Sequence, residues 1–341
     1  MSRALSLVPL AAALMSTAVL AEGPRVAADI APVHSLVARV MEGVGEPSLV
    51  IPAGASPHEY NLRPSEARAL QDADLVFWIG ADLTPWMEDA VATLAEGAEV
   101  TTLLEAEGVM RLDIREDALF EAHDHGAEDH DDHADEAGHD HDNHAEDAAH
   151  DDHDEHGHDD HGHDDHAGHD HGAHDPHAWL SPDNAAVWLN VIAGKLSAAD
   201  PENAGAYFAN AAAGRAEIGA LKDEIAAMLD PVRDGRFIVF HDAYQYFETA
   251  FDIPASGAIS ISDAGDPSPA RIAEIQARVT GEGIDCVLAE PQYNAAMVTT
   301  VLDGTEASTG VLDPLGSDLK TGPALYPQLL RNLADTLAGC L

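Results

Sequence analysis

Basic side chains are scarce in this 341-residue chain. It holds 16 Lys and Arg against 62 Asp and Glu, which gives a formal net charge of −46. Phosphate contacts need clustered cationic side chains, so the composition excludes a nucleic-acid partner and favours cationic ligands. The sequence also lacks the glycine-rich phosphate loop of ATPases and the His-Glu-x-x-His and Gly-x-Ser-x-Gly signatures of common hydrolases. A zinc hydrolase is therefore disfavoured.

No run long and apolar enough to span a bilayer follows the first 21 residues. The chain begins with a basic residue, Arg3, and an apolar run over 5–20, with small residues at the expected cleavage position. About 16 apolar residues fall short of the roughly 20 that a spanning helix needs. The pattern therefore predicts a signal peptide over 1–21, cleaved after Ala21, and a protein that is secreted or periplasmic.

Cysteine is almost missing, since the chain has only Cys286 and Cys340. In the oxidising compartment that a signal peptide indicates, we expect these two residues to form a disulfide. Such a bond would close a loop of about 55 residues and stabilise the fold by about 4 kcal/mol. Two unpaired thiols are the alternative. A cysteine-based metal site is disfavoured because paired thiolates at metal-binding spacing are absent.

One segment, 121–175, holds 17 of the 21 histidines and 22 acidic residues, and it contains no Lys or Arg. Almost no bulky apolar residue is present, so the segment cannot bury a core and is predicted to be a disordered insertion. Imidazoles and carboxylates at this density predict many weak, competing sites for zinc, copper or nickel. A merely solvated acidic spacer is the alternative, but it would not need the histidines.

The rest of the mature chain alternates apolar strands with amphipathic helices. Predicted strands are 26–30, 48–51, 75–79, 237–240, 284–289 and 310–312. Predicted helices are 35–44, 65–73, 184–196, 269–280 and 295–302. This alternation is typical of the α/β class, in which parallel sheets are flanked by helices.

A longer helical pattern, 201–230, interrupts that alternation. At 1.5 Å per residue it would extend about 43 Å, which is longer than one small domain is wide. Such a helix would join two lobes at a nearly fixed separation. The alternative is two ordinary helices broken near Gly214.

Four histidines lie outside the insertion, and three of them follow or end predicted elements. His58 comes after a strand, His177 lies in a Pro-rich motif, and His241 stands at the carboxyl end of a strand. In open α/β sheets, ligands bind at these carboxyl ends, so the three are candidate metal ligands. The fourth, His34, is expected to be exposed or to begin a helix.

Several ordered motifs carry a resemblance to a known family. They are GASPH at 54–58, LRPS at 62–65, ADLV at 73–76, HAWLSP at 177–182, FHDAY at 240–244, AEPQ at 289–292 and LDPLG at 312–316. In these motifs the chain resembles the zinc-specific solute-binding proteins of bacterial ABC importers, the ZnuA type of the metal-binding cluster A-I group. The resemblance covers essentially the whole mature chain, including the insertion and the C-terminal cysteine pair.

The resemblance implies two lobes, 22–120 plus 176–200 and 231–341, joined by a rigid backbone helix over 201–230. A Zn²⁺ ion would lie in the cleft between the lobes. The protein would be a periplasmic monomer and not an enzyme, and it would deliver zinc to an inner-membrane permease with a cytoplasmic ATPase. A manganese or broad divalent-metal binding protein, or a passive metal buffer, is the alternative.

The resemblance also implies a ligand set. His58 and His177 would come from the first lobe and His241 from the second, where manganese-binding relatives typically carry a carboxylate. Three imidazoles suit tetrahedral zinc, whereas manganese prefers oxygen ligands. Asp313 is the candidate fourth ligand, and water and an insertion histidine compete with it. Its alternative role is a carboxylate that hydrogen-bonds a ligand ring or caps a turn.

Three further carboxylates are candidates to orient the ligand rings by accepting the second ring N–H, as carboxylates commonly do around zinc. They are Glu59, Asp242 and Glu290. The sequence does not assign which of them does so.

Overall fold

The structure is a computed structural model that describes residues 23–115, 120, 174–260 and 268–341. The predicted signal peptide, 1–21, lies outside these ranges, as does the predicted insertion up to residue 173. His174 and Asp175, the last two residues assigned to the insertion, belong to the described structure. Within the described ranges, no helix has the length and apolar character needed to cross a membrane.

The described strands form two separate sheets of four parallel strands each. The first sheet consists of β1 (Val26–Ala28), β2 (Ser48–Leu49), β3 (Leu75–Trp78) and β4 (Glu99–Thr102), in spatial order β2-β1-β3-β4. The second consists of β5 (Phe237–His241), β6 (Gly257–Ser260), β7 (Cys286–Ala289) and β8 (Ser308–Val311), in order β6-β5-β7-β8. Every strand pair is parallel, which confirms the predicted fold class.

The described ranges contain nine α-helices that flank these sheets. They are α1 (Ala31–Val40), α2 (Pro64–Gln71), α3 (Pro85–Leu94), α4 (Pro182–Ala199), α5 (Ala204–Leu229), α6 (Gln245–Phe251), α7 (Pro269–Glu282), α8 (Ala295–Leu302) and α9 (Leu325–Cys340). Local sequence explains two of the starts. The Ser181 hydroxyl accepts the backbone N–H of Asn184, and Ser268 does the same for Arg271, with proline following each serine. Both are favoured helix N-termini.

The long helix α5 is continuous through Gly214, so the alternative of two broken helices is wrong. Its 26 residues extend about 39 Å at 1.5 Å per residue. A Cβ at Gly214 would lie 3.0 Å from Leu189 Cδ1 on α4 and 3.3 Å from Arg39 Cγ on α1. Glycine therefore lets three helices pack closely at this point, which offsets its poor helix propensity.

Two ion pairs in the second half of α5 connect this helix to both lobes. Arg39 on α1, beside the first sheet, forms an ion pair with Glu217 at 2.8 Å. Arg331 on α9, beside the second sheet, forms one with Glu224 at 2.9 Å. The buried apolar side chains of α5, spaced along its whole length, join the hydrophobic core. The structure thus confirms two sheet-based lobes connected by a long central helix.

A disulfide joins Cys286, the first residue of β7, to Cys340, the last residue of α9. The two Cα atoms lie 5.8 Å apart, within the usual range for a disulfide. The predicted pairing is therefore confirmed. It fastens the final helix to the second sheet.

Candidate metal site

The fold brings together three histidines that are far apart in sequence. Each of His58, His177 and His241 offers a ring nitrogen, and these three nitrogens all lie within 4.8 Å of one another. Nε2 of His177 is 3.3 Å from Nε2 of His58. The ring centroids are separated by 5.3 to 6.1 Å. In the described part of the chain, this is the one group of His, Cys, Asp or Glu side chains with a spacing that suits a metal ion.

Each histidine is placed by a different element. His58 lies in the loop after β2, where Trp86 Nε1 donates a 2.7 Å hydrogen bond to the Pro57 carbonyl. His177 directly precedes a 3₁₀ turn, Ala178–Leu180, and His241 is the last residue of β5. Two of the three histidines, His58 and His241, therefore lie after or at the carboxyl end of a strand, one in each sheet, in agreement with the general placement of ligands in open α/β sheets. The triad lies in the cleft between the lobes.

Carboxylates fix the orientation of two rings. Asp175 Oδ1 lies 2.7 Å from Nδ1 of His177 and also accepts the backbone N–H of that residue at 2.9 Å. Glu290 Oε1 lies 2.7 Å from Nδ1 of His241 and accepts its backbone N–H at 3.2 Å. A carboxylate in this position accepts a hydrogen bond from a protonated Nδ1. The Nε2 atom of the same ring then keeps its lone pair, which can bind a cation. The site is therefore polarised to bind a positive ion.

The space between the rings is small and mostly shielded from solvent. His177 and His241 are 3% and 4% exposed, and His58 is half-buried. The cavity that they line has a volume of about 10 Å³ and is also bounded by Trp179 and Tyr293. Such a volume holds about one water molecule or one ion. The site therefore suits a single desolvated ion.

Two buried aromatic side chains hold the cleft wall in place. Trp179 Nε1 donates a 2.7 Å hydrogen bond to the Pro314 carbonyl, which links the two lobes beside the triad. The Tyr244 hydroxyl donates to the Leu312 carbonyl at 2.9 Å. Burial raises the pKa of Tyr244 well above its usual value, and the negative charges of nearby carboxylates add to this. Tyr244 is therefore a neutral donor that fixes the loop after β8.

The structure places Asp313 in a turn and not with the three histidines. Its carboxylate accepts the backbone N–H groups of Leu315 at 3.0 Å, Gly316 at 3.1 Å and Ser317 at 2.6 Å. Gln292 Nε2 donates a further bond at 3.2 Å. These contacts favour the alternative role, a carboxylate that caps a turn. Asp313 as a metal ligand stays a prediction that no contact here supports.

Of the three carboxylates expected to orient a ligand ring, Glu290 does so for His241. Asp242 forms an ion pair elsewhere in the cleft, and Glu59 is exposed. The residue that holds His177 is Asp175, which sequence reasoning missed because it was counted as part of the insertion. The spacing Asp-Pro-His, with a proline between the acid and the ligand, was the available signal.

His34 lies apart from the triad, in the first turn of α1. Of the two expectations, an exposed histidine or one at the start of a helix, the structure supports the second, and the side chain is buried at 8% exposure. Nε2 of His34 lies 3.0 Å from the Pro47 carbonyl. Burial lowers its pKa, although this hydrogen bond and the charge of Glu46 oppose the effect. We assign His34 a packing role.

The sequence of this chain is similar to those of known proteins. Residues 26–340 match the sequence model of a family described as ZnuA, the periplasmic component A of a zinc-uptake complex. The chain is 46% identical over 316 residues to the high-affinity zinc uptake system protein ZnuA of Brucella abortus, covering 93% of this chain and 91% of that protein. It is 44% identical over 334 residues to the protein of the same name from Paracoccus denitrificans, covering 97% and 96%.

A structural comparison gives the same architecture. The crystal structure of a ZnuA deletion mutant with zinc bound has a TM-score of 0.69 to this fold at 19% sequence identity. The match covers 93% of this chain and 98% of that one. At this identity the likeness concerns the fold alone.

Proposed function

This chain belongs to the ZnuA family of periplasmic zinc-uptake components, and on that premise we propose that it captures Zn²⁺ with His58, His177 and His241 and delivers it to an ABC importer. The ion is cargo and not a resident cofactor. The protein acts by binding and release, and we assign it no enzymatic activity.

The observation that carries the proposal is the spacing of the ring nitrogens. In a tetrahedral zinc site with bonds of 2.0 to 2.1 Å, two ligand atoms lie about 3.4 Å apart. The Nε2 atoms of His58 and His177 are 3.3 Å apart, and the nitrogen from His241 lies within 4.8 Å of both. A small inward movement of one ring would complete three vertices of a tetrahedron.

The ligand types support zinc over manganese. Imidazole is a good ligand for zinc, whereas manganese prefers carboxylate, carbonyl and water oxygens. Among the described residues, no carboxylate belongs to the triad's group of ligand atoms. The fourth position would then be taken by water or by a histidine of the insertion, with Asp313 as the disfavoured alternative.

Location and partners follow from the family and from the sequence. We propose that removal of 1–21 releases a periplasmic monomer and that the insertion, 121–175, raises the local zinc concentration. An inner-membrane permease would open the cleft, and its cytoplasmic ATPase would supply the energy. The absence of a phosphate-binding loop in this sequence supports an external energy source.

Removing residues 121–173 is expected to leave one tight zinc site per chain, because the three histidines and the carboxylates that orient two of them all remain. The measurement is a competitive titration against a chelator of known affinity, with the intact mature chain as the control. The intact chain should show the same tight site and additional weak ones. If the shortened chain is folded but binds no zinc tightly, the insertion holds the metal and the proposed site is wrong.

Replacing Glu290 or Asp175 with alanine should weaken zinc binding by about 10- to 100-fold, a typical effect of losing a carboxylate that orients a ligand ring. Glu290→Gln should lose less, because an amide oxygen still accepts the His241 N–H. The same competitive titration measures the zinc affinity of all three variants. Glu217→Ala, which removes an ion pair on α5, is the matched control and should bind zinc normally. Equal affinity in all four variants would contradict the orienting role.

A further inference from the structure

A short segment of the first half of the chain crosses to the second lobe beside the metal site. We call residues 112–115 the strap. The Leu112 N–H donates to the Tyr246 hydroxyl at 3.0 Å, and this hydroxyl donates to the Asp175 carbonyl at 2.9 Å. The Asp175 N–H in turn donates to the Leu112 carbonyl at 2.8 Å. One tyrosine of α6 thus joins the strap to the segment that orients His177.

Arg115 makes the strongest contacts of the strap. Its guanidinium pairs with Asp242, where Nε lies 2.9 Å from Oδ2, and with Glu248, where both Nη atoms lie 2.9 and 3.0 Å from the carboxylate oxygens. The side chains of Arg115, Asp242 and Glu248 are 18%, 10% and 5% exposed. The Phe120 ring covers the guanidinium at 3.6 Å from Cζ. This is a shielded ion cluster between lobes.

The two carboxylates depend on Arg115. Asp242 and Glu248 are both largely buried, and Arg115 supplies the positive charge that pairs with them. For Arg115 itself, burial alone would lower the pKa, but the hydrogen bonds and charges of Glu248 and Asp242 outweigh burial and raise it. Without the guanidinium, two shielded carboxylates would face each other. Separation of the lobes would let water reach them.

Asp242 directly follows His241, so the strap also acts near a ring of the triad. Glu290 holds the backbone N–H and the ring of His241 from one side. Arg115, which belongs to the opposite lobe, pairs with Asp242. It also pairs with Glu248 on α6, and so links these two carboxylates. The position of His241 therefore depends on a residue of the other lobe that is not part of the metal site.

We propose that Arg115 is a positioning residue that holds the cleft closed over the bound metal and so sets the rate of metal release. The inference rests on the proposed zinc-binding function. Loss of one partner of a shielded charge pair acts mainly on dissociation. We expect Arg115→Ala to release zinc at least tenfold faster while association changes little. Arg115→Lys should be intermediate, since an ammonium cannot bridge two carboxylates as a planar guanidinium does.

The experiment loads the full mature chain with one equivalent of zinc and follows transfer to a fluorescent chelator by stopped flow. Association is measured separately by mixing metal-free protein with zinc. Arg39→Ala is the matched control, because Arg39 is similarly shielded, at 15% side-chain exposure, and its pair with Glu217 does not cross the cleft. It should reduce thermal stability without changing the release rate.

A slow release phase in the wild type, faster in Arg115→Ala and unchanged in Arg39→Ala, supports the proposal. Release from folded Arg115→Ala at the wild-type rate overturns it, as does equal acceleration in Arg39→Ala. If Arg115→Ala does not fold, Arg115→Lys decides, and release from it at the wild-type rate also overturns the proposal. A wild type with no slow phase contradicts the proposed zinc site itself and not the strap alone.

Discussion

Replacing His241 with alanine is expected to weaken zinc binding by about a hundredfold, which corresponds to about 2.7 kcal/mol. The variant loses one of three imidazole ligands and leaves the Glu290 carboxylate without its ring partner. His58→Ala and His177→Ala should have effects of the same order, because each removes one vertex of the site. Competitive titration of the chain lacking 121–173 measures the three variants without interference from the insertion histidines.

His174→Ala is the control for these variants. His174 is a half-buried histidine bridged to Asp113, and it lies outside the triad. Its replacement should leave zinc affinity unchanged within about twofold, because its ring does not belong to the group of three ligand nitrogens. Circular dichroism of the metal-free proteins verifies that all variants are folded. If His241→Ala binds zinc as tightly as His174→Ala, the assignment of the triad is wrong.

Loss of the disulfide should reduce the free energy of unfolding by about 4 kcal/mol, because an unfolded chain without the bond gains the conformational freedom of a loop of about 55 residues. The structure adds a local reason, since Cys340 is the last residue of α9 and the bond fastens that helix to β7. The double variant Cys286→Ala/Cys340→Ala, compared with the oxidised wild type by urea unfolding without metal, measures the effect.

Reduced wild type serves as the control for the double variant, because it lacks the bond but keeps both sulfur atoms. The two should unfold at similar urea concentrations, and both well below the oxidised protein. Zinc affinity should change little, since the bond lies outside the residues that line the metal cavity. A stability that is the same with and without the bond would contradict the prediction.

Apolar runs in the sequence predicted six of the eight described strands, namely the four inner strands and the edge strands β2 and β8, whereas the other two edge strands were missed. β4, EVTT, is an edge strand with two exposed residues, so its composition is polar and carries little apolar signal. β6, GAIS, is fully buried but only four residues long and begins with glycine. Short strands of this kind are defined by their neighbours in the sheet and not by their own pattern.

Some helices were predicted from the sequence and others were not. α8 has the predicted bounds, Ala295–Leu302, because a clear apolar pattern follows an asparagine cap. α9 was not predicted, although its buried leucines recur at helical spacing: Leu325, Leu329, Leu330, Leu333 and Leu337. In that case the signal was present in the sequence and was overlooked. α6 is only seven residues long and gives a weak periodic signal.

The grouping of the three histidines could be predicted because histidine is rare outside the insertion and two of the three residues end or follow predicted strands. The residues that support the triad could not be assigned in the same way. Arg115 and Asp242 are 127 positions apart, and no local pattern in the sequence announces their contact. The pairing of Glu290 with His241 spans 49 positions and likewise depends on how β5 and β7 lie side by side.

The two sheets repeat one strand order, β2-β1-β3-β4 and β6-β5-β7-β8, and the triad draws on both. His58 and His177 are separated by 119 positions, and His241 belongs to the second copy of the pattern. Contacts between positions so distant close long loops, so they cost conformational entropy and persist only when the intervening chain is ordered. The proposed zinc site can therefore exist only in a chain whose two halves have both folded, and zinc bound there would selectively stabilise the folded protein. On the proposed function, metal occupancy of the triad would thus report that both halves of the chain have folded.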